Sequence, residues 1–135
     1  MVDSAEAETV GAVESWSFAG DAVAVSDDSV AQALRARIAD GKLESLLESS
    51  AGRTLFVVSN TERAMVMLLA DPGDPGEHAT DPGAEDWSGG FVLANGQSDE
   101  YPDADTVPLD EALRIVRHIL ATGRPPADAA WAVDR

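Results

Sequence analysis

Cysteine is absent from this 135-residue sequence, and so is any long apolar run. The lack of cysteine excludes disulfides, thiolate catalysis and cysteine-ligated zinc, and it agrees with a reducing compartment. No segment approaches the ~20 consecutive apolar residues that a membrane-spanning helix needs. The first residues, MVDSAEAETVGAVE, are acidic and lack the basic-then-apolar pattern of a signal peptide. The sequence therefore predicts a cytoplasmic protein with no membrane contact.

Basic residues are the second deficit. Nine lysines and arginines stand against 25 aspartates and glutamates, which gives a formal net charge of −16. Phosphate binding relies on clustered Lys and Arg, so direct contact with nucleic acid or with an anionic membrane is not expected. This composition is compatible both with plain solubility and with a basic partner.

The acidic residues are segregated along the chain. Residues 1–34 contain seven acids and residues 64–113 contain twelve, and neither block contains Lys or Arg. Such segregation favours an electrostatic face over uniform solubilisation.

Groups that carry catalysis do not form a recognisable pattern. Neither His78 nor His118 has metal-ligand or nucleophile spacing around it. Carboxylates at 71, 74 and 77 do not match the spacing of an EF-hand loop, and turn chemistry explains them. Carboxylate pairs such as Asp103 and Asp105 are expected by chance in so acidic a chain. The sequence predicts no enzyme activity, no metal and no cofactor.

The hydrophobic pattern predicts a single α+β domain, in which a mainly antiparallel sheet is packed by two to three helices and carries long acidic loops. Residues 1–11 are expected to be a flexible N-terminus, and residues 12–135 to be one domain. Strands are expected at 13–18, 22–25, 54–59, 64–70 and 89–95, with a short closing strand around Trp131. Helices are expected from about 29 to 40, over the short segment 43–49, and from 108 to 122. Loops are expected at 71–87, which holds three Asp-Pro-Gly turns, and at 96–105.

The C-terminal helix is the best-specified element. Pro108 suits its first turn, and Asp110 and Glu111 place negative charge at the positive end of the helix dipole. Gly123 supplies a left-handed cap. The predicted buried face comprises Leu109, Ala112, Leu113, Val116, Ile119 and Leu120.

Aromatic residues flank both acidic loops. Trp and Tyr are enriched at protein–protein hot spots, where a rigid amphipathic ring fills a pocket. For Trp87 and Tyr101 the alternative is a structural role, and Phe91 is expected in the core. The candidate partner-binding residues are Glu85, Asp86, Trp87, Asp99, Glu100, Tyr101, Asp103 and Asp105.

A series of short motifs in residues 43–133 carries a family resemblance. They are the strand pair at 54–59 and 64–70, Trp87-Ser88-Gly89-Gly90 opening a strand, Tyr101, and the run VPLDEALRIVRHILATGRPPADAAW at 107–131. In this order they resemble the immunity proteins of bacterial polymorphic toxin systems, specifically family one.

The resemblance implies an α+β protein that binds a cognate toxin domain as a heterodimer and blocks substrate entry. The toxins of such systems are often nucleic-acid deaminases. A deaminase that acts on DNA or RNA needs a basic channel for phosphate, which an acidic surface would complement.

Two other functions are compatible with the residues alone. The first is a small acidic binding or regulatory module for another basic protein, with no toxin involved. The second is an enzyme that uses carboxylates. A neighbouring gene for a secreted protein with a C-terminal toxic domain would separate immunity from regulation.

Overall fold

The computed structural model describes residues 14–20 and 22–135. The N-terminus expected to be flexible, residues 1–11, lies outside the described residues. The described helices are α1 (Val30–Ala39) and α2 (Leu109–Thr122). The strands are β1 (Trp16–Phe18), β2 (Ala24–Val25), β3 (Glu44–Ser49), β4 (Thr54–Ser59), β5 (Arg63–Leu69), β6 (Glu77–Ala79), β7 (Trp87–Val92), β8 (Ser98–Pro102), β9 (Val107–Pro108) and β10 (Trp131–Val133). A 3-10 turn, Asp103–Asp105, joins β8 to β9.

The main sheet has the order β10-β6-β5-β4-β3-β1-β2, and β9 pairs with β5 beside β6. Its described strand pairs are all antiparallel. The hairpin β7–β8 forms a separate two-stranded sheet. The predicted α+β class with a mainly antiparallel sheet is confirmed.

The main hydrophobic core lies between one face of the sheet and the two helices. Alternate residues of β4 and β5 point into it, among them Leu55, Val57 and Val66, because successive strand side chains face opposite sides. From α2, Leu113 and Ile119 meet them. We call this the helix face of the sheet.

The hairpin β7–β8 covers part of the opposite face. Val58 follows the helix-face residue Val57 in β4, so its side chain points to the opposite face of the sheet. It is nevertheless fully buried there, and β7 contacts β4. Phe91 of β7 is also fully buried, as its sequence position predicts. A second, smaller core therefore holds the hairpin to the sheet, and we call this side the hairpin face.

Helix α2 follows its sequence signals closely. Of the predicted buried face, Leu109 and Leu120 are only half-buried against the core, and the other four residues are buried. Ile115, which the prediction left out, is also fully buried. Gly123 has φ 84°, the left-handed value that a side chain with a Cβ rarely adopts. Pro108 is the residue before the first helical position rather than within the first turn. Its extended backbone also ends β9, so the same proline closes a strand and opens the helix.

The helix expected over 43–49 is wrong, because this segment is strand β3. Its leucines at 43, 46 and 47 have helical spacing, which favoured a helix. The structure places the segment between β1 and β4, where both edges are hydrogen-bonded. Leu47 enters the core and pairs with Leu55. Long-range pairing here outweighs the local pattern.

The two acidic loops are also corrected in part, since both contain strand. Residues 77–79 of the expected loop 71–87 form β6, which lies between β5 and β10. Residues 98–102 of the expected loop 96–105 form β8. In each case polar and acidic side chains obscured a strand that forms by pairing, β6 with β5 and β10, and β8 with β7.

No helix within residues 14–20 and 22–135 is long and apolar enough to cross a membrane.

Candidate partner-binding surface

The hairpin β7–β8 gathers the candidate partner-binding residues into one region. Trp87 opens β7 and lies opposite Pro102, and Ser88 lies opposite Tyr101. The backbone N–H of Asp103 donates to the carbonyl oxygen of Asp86 at 2.8 Å, which extends the pairing beyond the strands. Two acidic segments that are distant in sequence thus become neighbours across one ladder.

A bulge in β7 sets how the hairpin presents its side chains. The register shifts between Ser88 and Phe91, so that Gly89 and Gly90 stand where β8 supplies one residue. Gly90 has φ 84°, which explains why glycine is needed there. The side-chain amide of Asn60 donates to the carbonyl of Gly89 at 3.0 Å and ties the bulge to the β4–β5 turn. The bulge lets Phe91 point into the protein while Trp87 points out.

The exposed part of this region comprises Glu85, Asp86, Trp87 and Glu100. The Trp87 side chain is 65% exposed, which is unusual for so large an apolar group. The structure records no hydrogen bond or ion pair of the three carboxylates within its described part. We call these four residues the acidic hairpin surface.

Tyr101 and Asp99 are less available. The Tyr101 ring packs edge-on against Phe91, with centroids 4.9 Å apart, and its hydroxyl donates to Asp99 Oδ2 at 3.1 Å. Burial and this carboxylate raise the pKa of Tyr101 to about 12. Both residues stabilise the hairpin, and only part of Tyr101 reaches the surface.

Asp103 faces inward. It accepts a hydrogen bond from Ser88 Oγ at 2.5 Å and lies 3.8 Å from Arg63 Nε, with its side chain 17% exposed. Arg63 also donates to Asp81 at 2.6 Å and to Thr106 Oγ1 at 2.8 Å. Asp103 thus joins the hairpin to β5, and replacing it would disturb stability as well as any partner contact.

Asp105 is held by a histidine that the sequence did not single out as a site residue. His78 Nε2 lies 3.1 Å from Asp105 Oδ1, and His78 Nδ1 lies 2.8 Å from Asp134 Oδ2. The side chain of Asp105 is still 50% exposed, whereas that of His78 is 16% exposed. Burial by itself would lower the pKa of His78, but the hydrogen bonds to Asp134 and Asp105 raise it above its ordinary value.

This arrangement predicts a stability component that depends on pH. The pKa of His78 is higher in the folded than in the unfolded protein, so the protonated histidine stabilises the fold. This stabilisation is complete at pH values below the unfolded-state pKa of about 6.5, and it is lost as pH rises through the folded-state pKa. Urea unfolding between pH 5.5 and 8.5 would measure it. We expect His78→Gln to remove this component from the pH profile. Asp105→Asn combined with Asp134→Asn should remove the same component, and a wild-type profile in that double variant would contradict the assignment.

The remaining acids of segment 71–87 mostly have internal partners. Arg135 binds the carboxylates of Asp74 and Glu77, and Glu77 also accepts from Trp131 Nε1 at 2.6 Å. Asp81 is bound by Arg63. The contacts of Asp74 and Glu77 dock the Asp-Pro-Gly segment onto the C-terminal end of the chain, and that of Asp81 ties it to β5. Acidic residues that look alike in sequence therefore divide into an internal set and the exposed acidic hairpin surface.

Within the described part of the chain, no group of three or more histidine, aspartate or glutamate side chains is placed to hold a metal ion. The carboxylates of this region instead meet arginines, a histidine, hydroxyls or solvent. Their geometry supports recognition by charge and shape.

A helix-backed antiparallel sheet with an acidic hairpin on its open face defines a small acidic α+β protein. Residues 1–132 match the family described as Immunity protein Imm1, and the chain belongs to that family. No curated protein matches the sequence. The family match confirms the resemblance seen in residues 43–133 and extends it across the N-terminal third. Membership assigns the chain a role in toxin immunity and implies that it binds a cognate toxin.

Proposed function

We propose that this protein binds a nucleic-acid deaminase toxin in the cytoplasm of the cell that makes both, and that the acidic hairpin surface occludes the toxin's basic substrate site. Inhibition would be stoichiometric and without catalysis. The observation that carries the proposal is the exposure of Trp87 amid three carboxylates, Glu85, Asp86 and Glu100, whose charges meet no hydrogen-bond or ion-pair partner among residues 14–20 and 22–135.

Charge complementarity supports this choice of partner. A deaminase acting on DNA or RNA must attract phosphate with lysine and arginine. A protein of net charge −16 carries the opposite field, which speeds diffusional encounter with such a channel. Fast association is an advantage for an inhibitor that must act before its toxin does.

Shape supports it as well. The hairpin is anchored by Phe91 in a buried contact and by Asp103 through Ser88 and Arg63. A surface held at two points loses little conformational freedom on binding. Trp87 combines large contact area with few rotatable bonds, as expected of a hot-spot residue.

Charge reversal of the acidic hairpin surface tests the proposal. With the toxin domain of the neighbouring gene, replacing Glu85, Asp86 and Glu100 by lysine should weaken binding about tenfold or more at low salt, mainly through slower association. The wild-type affinity should fall as salt rises, and that dependence should flatten in the variant. Surface plasmon resonance across salt concentrations measures both.

A matched control reverses exposed acids on the helix side: Asp28, Asp40 and Asp128. It has the same net charge as the first variant, and we expect close to wild-type affinity. Equal losses in the two variants would show that only total charge matters. Co-expression is the broader check, because a toxin that kills as fast with this protein as without it would refute immunity to that toxin.

Trp87→Ala isolates the apolar contribution to binding. We expect the affinity for the toxin domain to fall by about 2 kcal/mol, or roughly thirtyfold, through faster dissociation. Urea unfolding should show little change because the side chain is 65% exposed. An unchanged dissociation rate would exclude Trp87 from the interface.

A further inference from the structure

A cleft opens on the hairpin face, between the hairpin and the edge of the main sheet. Met65, Met67 and Tyr101 supply its apolar walls, and His78, Asp105 and Asp134 lie at its polar rim. The volume is about 210 Å³. It adjoins the acidic hairpin surface through Tyr101, which belongs to β8.

The strand register explains why this apolar floor is left open. Met65 pairs with Val58 and Met67 pairs with Phe56, so both methionines point to the hairpin face. On this face Val58 of β4 is fully buried and β7 contacts β4, whereas the two methionines of β5 are only half-buried. Methionine is flexible and polarisable, and it is common on surfaces that adapt to a partner's side chain.

The rim is negative in either protonation state of the histidine. Each ring nitrogen of His78 lies within hydrogen-bond distance of a carboxylate. Both nitrogens can donate at once only when the ring is the positively charged imidazolium. One imidazolium against Asp105 and Asp134 still leaves a surplus negative charge. The Asp105 and Asp134 side chains are 50% and 35% exposed, so each can accept a further donor.

Size limits what the cleft can take. At about 210 Å³ it is smaller than the ~300–1,000 Å³ typical of pockets for small-molecule ligands, and it cannot admit a helix. It fits one long side chain. An apolar wall with a carboxylate rim suits an arginine, because its methylene stem packs on methionine while its guanidinium donates to carboxylates and stacks on an aromatic ring.

We propose that this cleft is a receptor for one arginine side chain of the toxin domain. This inference rests on the proposed function, since the toxin supplies the arginine. It adds a defined pocket to the charged surface. The hairpin surface would meet the toxin's basic channel broadly, whereas the cleft would fix the register of the two proteins by capturing a single residue.

The chemistry of the cleft is testable without any toxin. The chain contains three methionines, Met1, Met65 and Met67, so methyl-labelled methionine gives a very simple NMR spectrum. We expect n-butylguanidinium to shift the Met65 and Met67 methyl signals saturably. The neutral isostere n-butylurea should bind markedly more weakly. Equal binding of the two probes, or no shift at either methionine, would overturn the proposal.

Rim variants test the role of the carboxylates. Asp105→Asn with Asp134→Asn should raise the dissociation constant of n-butylguanidinium about two- to fivefold, the range for part-exposed ion pairs. Asp128→Asn removes an exposed charge from the helix side and should leave the constant unchanged. A double variant that binds the probe as the wild type does would also overturn the proposal.

The toxin domain then separates the two proposals. If the complex forms and the Met65 and Met67 methyls shift, both stand. If the complex forms while those methyls keep their free-protein positions, the arginine receptor is wrong and the immunity interaction stands. If no complex forms but n-butylguanidinium binds, the cleft does bind a guanidinium group, but the toxin domain is not its partner. That result rejects the proposal that the cleft receives a toxin arginine.

Discussion

Phe91→Ala is expected to lower the free energy of unfolding by about 3–5 kcal/mol, the usual range for a buried phenylalanine. Phe91 is fully buried, and it is the only buried residue of β7, which contacts β4. Its removal also deprives the Tyr101 ring of its edge-on partner. Denaturant unfolding measures the loss, and Phe91→Leu should cost clearly less because it keeps most of the volume.

The same substitution should impair toxin binding beyond its effect on stability. Phe91 anchors the hairpin that carries Trp87 and Glu100, so its loss lets those residues move relative to the sheet. Binding measured well below the unfolding midpoint should therefore weaken, by faster dissociation. Wild-type binding by a folded Phe91→Ala protein would show that the hairpin does not depend on this anchor for its function.

Leu113→Ala is expected to cost about 2–5 kcal/mol, also through a cavity. Leu113 is 3% exposed and belongs to the main core on the helix face. The acidic hairpin surface lies on the other side of the sheet. We therefore expect the folded variant to bind the toxin domain with wild-type kinetics, although less of the protein is folded at a given denaturant concentration.

The pair of variants tests a division of roles between the two faces. Phe91→Ala should affect stability and binding, and Leu113→Ala should affect stability alone. Matching binding defects in the two variants would mean that binding follows overall stability. In that case the hairpin face would have no special part in immunity.

Local sequence signals were sufficient where a segment contains its own capping residues and a regular hydrophobic period. Helix α2 was predicted from Pro108, its apolar stripe and Gly123, and each plays a structural part in the helix or at its ends. Strand β4 was predicted with its observed bounds because TLFVVS is β-branched and apolar. These elements needed no knowledge of the rest of the chain.

Local signals failed where pairing decides the structure. β3 has helical leucine spacing but is enclosed by two strands. β6 and β8 are short and polar, and each forms against a partner strand that supplies its hydrogen bonds. Such elements owe their conformation to contacts across the sheet, which residue periodicity does not encode.

The sequence by itself determined the α+β class, the family and the strongly acidic character of this protein. These follow from composition, from short motifs and from hydrophobic period, which are local properties. Only the tertiary structure decided which carboxylates meet solvent. Glu85, Asp86 and Glu100 are exposed, whereas Asp103 and Asp81 are bound to Arg63 because folding brings the first residue of β5 beside both carboxylates. The availability of a charge depends on what packs against it, and that is a long-range property of the fold.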